Sequence, residues 1–321
     1  MSTSPIPDGP LQRASGSRPL HEAGEAPVLR RTLSLPLLTL YGLGTIIGAG
    51  IYVLIGKVAG IAGMYAPLAF LVAAVAAFFT ALTYAELGAR YPKSAGEPLY
   101  VAHGFGMRQL SIGVGLMIVA TGMISSATIV NGFVGYLHVF VEVPRTFAIL
   151  GIVIALGALA MWGIAQSVWV ATISTLLEIG GLLIIIFVCG GSFADVPRRI
   201  PEMIPPADSA VWQAITLGAF LAFFAFIGFE DMVNVAEETK NPVRDMPRAI
   251  LLAAVIATVL YMLVSTVAVL TVSPLELAVS EAPLALIYER ATGQPAVFIS
   301  LIGLVAVVMG AENSWTVRMS S

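Results

Sequence analysis

Charge is what these 321 residues have least of. Asp, Glu, Lys and Arg together make 11% of the chain, against 58% hydrophobic residues and a mean hydropathy of +0.93. A soluble domain carries about 25% charged residues, so the composition excludes a chain whose whole surface faces water. Cysteine is nearly absent. Cys189 stands alone in an apolar run, which excludes a disulfide framework. Histidine is scarce as well, and His21, His103 and His138 have no metal-ligand spacing. The basic residues sit at the ends of apolar runs rather than along one face, so no nucleic acid partner is expected. Residues 1–30 lack the apolar core of a signal peptide and are rich in Pro, Ser and Gly. Residues 1–31 are therefore expected to form a disordered cytoplasmic tail.

What the chain has instead is long uncharged stretches. No Asp, Glu, Lys or Arg occurs in 32–56, 58–85, 109–141, 209–229, 249–275 or 291–311, and 146–194 holds one, Glu178. A membrane-crossing helix needs about 20 mostly apolar residues, so each short stretch holds one helix. The 146–194 stretch is long enough for two, divided near Gly163–Ser167. The expectation is an all-α polytopic membrane protein with eight spans, at roughly 37–57, 66–91, 108–137, 146–165, 169–192, 210–238, 249–273 and 294–314. Together they form a domain over 32–314, followed by a short tail, 315–321. A β-barrel would alternate over about ten residues, which these runs do not. Placing the N-terminus inside puts eleven basic residues on the cytoplasmic side and five outside, so both termini are expected in the cytoplasm. Proline punctuates the pattern. Asn241–Pro242 should end the sixth helix, residues 195–209 carry too many prolines for continuous helix, and 283–291 suit a short surface helix.

Three features could carry chemistry. The first span contains Gly42, Gly44, Gly48 and Gly50 within nine residues. These glycines admit two readings. Gly44 and Gly48 form a GxxxG that lets helices pack closely. Alternatively the helix breaks at 48–50, freeing amides at one half-helix end and carbonyls at the other. Such groups survive in a membrane only where they line a cavity or meet a ligand. Free amides attract a carboxylate and free carbonyls attract an ammonium, and an amino acid carries both. In the sixth span Gly228 is followed by Glu230 and Asp231. These acids either mark the water boundary or lie below it as functional carboxylates. Glu178, alone in the fifth span, needs a partner, a proton or a cavity, and its role is structural or functional. Glu86 and Arg90 read as a plain helix-end ion pair.

With these residues in hand, the chain resembles the amino acid–polyamine–organocation superfamily of permeases. The matching strings are GTIIGAGIYVLIG (44–56), YAELGARYPKSAGEP (84–98) and FFAFIGFEDMVNVAEETKNPVRDMPRAI (223–250), in order and on matching spans. The resemblance covers roughly residues 30–311. It implies a LeuT-like core of two inverted five-helix repeats, with spans one and six broken. The substrate carboxylate would meet the amides of Gly48, Ala49 and Gly50, and its ammonium the carbonyls near Ile46, Phe224 and Ile227. Phe224 matches an aromatic gate, Glu230 an acidic residue linked to gating, and Glu178 a position where some relatives carry a lysine implicated in proton coupling. Phe224, Phe226 and Phe229 hint at a neutral or apolar substrate side chain.

The implied function is secondary transport of amino acids across the cytoplasmic membrane, proton-coupled or by exchange, with membrane lipid as the surroundings and no cofactor. The end of the chain departs from the family, which has ten core helices, so truncation at the C-terminus is expected. A non-transporting remnant is then the alternative reading. A membrane enzyme would need clustered catalytic groups, and Glu230–Asp231 is the only adjacent acid pair inside a span's apolar run, with no His nearby. A channel would need filter loops or charged rings, and neither is evident.

Overall fold

A computed structural model describes residues 31–94, 96–162 and 168–319, with no side-chain description for 159–162, 168–170 and 309–319. The expected tail at 1–30 and the division at 163–167 lie outside the described residues. The described chain is helical throughout: α1 Leu35–Ala62, α2 Ala66–Arg90, α3 Gly96–Phe105, α4 Arg108–His138, α5 Arg145–Trp162, α6 Val168–Val188, α7 Val196–Met203, α8 Ser209–Phe223, α9 Pro242–Thr271, α10 Pro274–Val279, α11 Pro283–Thr292 and α12 Val297–Met319. Tighter 3-10 turns fill Gly63–Tyr65, Cys189–Asp195, Phe224–Phe226 and Phe229–Glu238.

Among the described residues, five segments are long and apolar enough to cross a membrane: Leu35–Arg90, Arg108–His138, Ala171–Met203, Ser209–Glu238 and Pro242–Thr271. The first runs to 56 residues and contains both α1 and α2. The shorter apolar helices Arg145–Ala158 and Val297–Val308 lie beside these. The chain is thus an all-α polytopic membrane protein with several long apolar helices.

The helix ends follow local chemistry. Pro36, Pro67 and Pro242 sit in first turns, where a missing amide hydrogen does no harm. Pro242 opens α9 as well as stopping what precedes it, so α9 begins seven residues before the uncharged stretch at 249. Ser273 caps α10, accepting from the Glu276 amide at 3.3 Å. Residues 196–203 form an eight-residue helix despite Pro197 and Pro201, and the prolines at 205–206 fall beyond its end. Glu86 and Arg90 pair across one helical turn.

The bundle is organised around α1, which is buried along most of its length and packs on α6, α8, α9 and α12. Beside it, α2 buries Ala66, Ala69, Ala73, Ala77, Ala81 and Ala85, a stripe at three- and four-residue spacing. This stripe meets α9, which buries Ala249, Ala253 and Ala257 at the same period. Small residues at that spacing let two backbones approach where lipid gives no hydrophobic drive for association. Large apolar side chains such as Phe187 and Phe220 point outward, as lipid allows. A parallel bridge pairs Leu33 with Thr239, with backbone bonds of 3.0 Å to Glu238 and Lys240. It ties the start of α1 to the chain leaving the α8 segment.

Candidate functional site

Two helices depart from helical geometry at adjacent points. In α1 the departure is at Gly48, with φ −5° and ψ −141°. After α8 the chain passes through one 3-10 turn, extends at Ile227 (φ −61°, ψ 134°), turns at Gly228 and continues as ten residues of 3-10 helix. Gly228 has φ 135°, a conformation that L side chains rarely adopt. A Cβ there would run into the Thr45 carbonyl, and a Cβ on Gly50 would sit 2.8 Å from Ala225 Cα. The two departures therefore press together backbone to backbone, and glycine is what allows it.

Side chains complete the junction. The Gly228 amide donates to Glu230 Oε2 at 2.8 Å, so Glu230 reaches back to the turn that precedes its segment. Tyr261 of α9 places its hydroxyl 2.8 Å from the Ile46 carbonyl and 2.8 Å from the Ala225 carbonyl. Tyr84 donates to Glu97 Oε1 at 2.7 Å and stacks edge-on against Phe229 at 5.7 Å.

A cavity of about 420 Å³ opens against this junction. Ile46, Gly48, Ala49, Gly50, Phe224, Ile227 and Glu230 all line it. Those are seven of the eight residues singled out from sequence. Thr45, Tyr84, Glu97, Thr121, Ser125, Phe223, Phe229 and Asp231 also contribute. Phe226, by contrast, turns away and packs on Tyr261 at 4.9 Å. Three carboxylates, Glu97, Glu230 and Asp231, face the cavity, and no Lys, Arg or His is among its described lining. Glu230 is only half-buried, so it lies at the cavity wall rather than in packed core.

Glu178 stands apart. It does not line the cavity and is 1% exposed. Its backbone carbonyl accepts from the Tyr52 hydroxyl at 2.6 Å, while carboxyl Oε2 has no hydrogen-bond partner. Tyr136 in turn donates to the Tyr52 carbonyl at 2.8 Å. A buried tyrosine chain thus links α4, α1 and α6 behind the junction.

Sequence reasoning missed Tyr261, Tyr84 and Glu97. The last two lie in the string 84–98, and Tyr261 is the one aromatic residue with a hydroxyl within the uncharged run 249–275. A buried phenol needs a partner, which is the signal that could have found it.

A family model described as amino acid permease matches residues 33–321. The chain belongs to the amino acid permease family. Among similar proteins, the branched-chain amino acid permease BcaP of Bacillus subtilis is 31% identical over 284 residues, covering 82% of this chain and 60% of its own length. An uncharacterized transporter of Mycobacterium tuberculosis is 32% identical over 268 residues, covering 83% and 59%. Human cationic amino acid transporter 4 is 32% identical over 282 residues, covering 81% and 44%. This permease chain therefore spans about 60% or less of the length of these relatives. Its membership is in a family of transport proteins rather than enzymes.

Proposed function

We propose that this permease chain serves secondary active transport of amino acids across the cytoplasmic membrane, by proton coupling or exchange, with the substrate held at the paired breaks of α1 and α8. The observation that carries this reading is the cavity lined from both breaks at once. A helix restarting at Ala49 presents first-turn amides without partners in their own helix, which suit a carboxylate. Carbonyls left at the end of the preceding half, together with Glu97, Glu230 and Asp231, suit an ammonium. The two needs of an α-amino acid are met within one cavity.

The same charge balance selects among substrates. Three carboxylates in the lining disfavour an anionic side chain, while Phe223, Phe224 and Phe229 accommodate a neutral one. The names of two relatives, a branched-chain amino acid permease and a cationic amino acid transporter, are in keeping with that choice. In the wider reading the described helices are most of an inverted-repeat core with both termini cytoplasmic, and Glu178 exchanges a proton during the cycle.

The test is equilibrium binding of labelled L-amino acids to the 321-residue chain in lipid nanodiscs, followed by counterflow in liposomes. Saturable binding that L-glutamate and L-aspartate do not displace is expected. No binding by any L-amino acid overturns the site. Binding without counterflow leaves the site standing and overturns transport by this chain alone.

A further inference from the structure

Tyr261 is not part of the cavity wall, yet its hydroxyl is where the two breaks meet. The side chain is fully buried on α9, with its ring edge-on to Phe226 at 4.9 Å and to Phe70 at 5.9 Å. Those rings fix the phenol in place. Its Oη is equidistant, at 2.8 Å, from the Ile46 and Ala225 carbonyls. In uninterrupted helices these oxygens would accept from the amides four residues on, Gly50 and Phe229. The chain turns away at Gly48 and Gly228 before those ladders can continue regularly.

A phenol carries one proton and each carbonyl carries two lone pairs. With two acceptors at equal range, the hydroxyl donates fully to one carbonyl at a time or weakly to both. The other carbonyl is then open to a second donor. We propose that Tyr261 is a positioning residue for the substrate ammonium. Its hydroxyl holds the Ile46 and Ala225 carbonyls in place, and its O–H, still bonded to the phenol, turns to donate to the Ala225 carbonyl when the ammonium donates to the Ile46 carbonyl. The α1 and α8 breaks thereby respond together to one ligand. This inference rests on the reading that an amino acid occupies the breaks.

Tyr261→Phe keeps the ring contacts and removes only the hydroxyl. The experiment uses the 321-residue chain in nanodiscs and the labelled L-amino acid that binds the unsubstituted chain most tightly. The competitor is the carboxylic acid with the same side chain and no amino group. Loss of one hydrogen bond to the carbonyl pair is expected to weaken the amino acid by roughly tenfold and leave the competitor's inhibition constant unchanged. Tyr136→Phe, which removes a buried hydroxyl bonded to the Tyr52 carbonyl, is expected to change neither. Equal weakening of both ligands by Tyr261→Phe overturns the proposal, because a merely structural role acts on both. So does no change in either.

Should Tyr261→Phe fail to fold, difluorotyrosine at position 261 keeps the shape and strengthens the donor. An affinity shift for the amino acid alone is then expected, and no shift overturns the proposal. If the unsubstituted chain binds no L-amino acid, the site reading falls and this inference with it. If it binds and Tyr261→Phe binds equally well, only this inference falls.

Discussion

At the scale of single residues, glycine and acid spacing made the junction readable, and hydroxyls did not. Gly48–Gly50 and Phe224–Glu230 were legible because glycines in a membrane helix and acids beside an apolar run both violate local expectation. Tyr84 and Tyr261 violate nothing until their partners are known, since an aromatic residue in an apolar run suits packing equally well. Gly228→Ala tests the junction directly. The substitution must take φ 135° or displace the Thr45 carbonyl, at about 1–3 kcal/mol. The expected outcome is a lower midpoint in a thermal melt of the purified chain; an unchanged midpoint means the turn relaxes freely. Glu178 invites a different test. It is the lone charge in 146–194, and its Oε2 is buried without a partner. Glu178→Gln keeps the shape and removes the titratable proton, so the pH dependence of amino acid binding should flatten. An unaltered profile leaves Glu178 as a packing residue.

At the scale of elements, the eight stretches read as spans fall largely within α1, α2, α4, α5, α6, the α8 segment, α9 and α12. As helices they were legible because a missing charge over about 20 residues is a strong signal; among the described residues, five segments are long and apolar enough to cross a membrane. The short helices α3 and α10 carry no such signal and were not anticipated. Nor was the 3-10 winding of Phe229–Glu238. Over ten residues a period of 3.0 is not distinguishable from 3.6 in the sequence. The α2–α9 contact makes its own prediction. Ala81 is fully buried on the small-residue stripe that faces α9. Ala81→Leu overpacks that contact and should cost about 1–3 kcal/mol, read as a lower melting midpoint in detergent. Ala76→Leu, at an exposed position of the same helix, separates helix propensity from packing.

At the scale of the whole molecule, one central helix packs on α6, α8, α9, α10 and α12 and departs from helical geometry at Gly48, and the departure at Ile227–Gly228 lies against it. On the proposed reading, a site made this way uses few charged side chains, which suits a chain so poor in charge to a zwitterionic substrate. Its proposed recognition groups are main-chain amides and carbonyls, which every sequence has, and on this account the glycines expose them. The measurement that bears most directly on this claim is amino acid binding by Gly50→Leu, made in the 321-residue chain and checked for an intact thermal melt. A Cβ at Gly50 already sits 2.8 Å from Ala225 Cα, so leucine forces the two breaks apart. The account predicts that saturable, stereospecific binding by the unsubstituted chain is abolished in a variant that still folds. Unchanged affinity in a folded Gly50→Leu would contradict it and leave the glycines with a packing role alone.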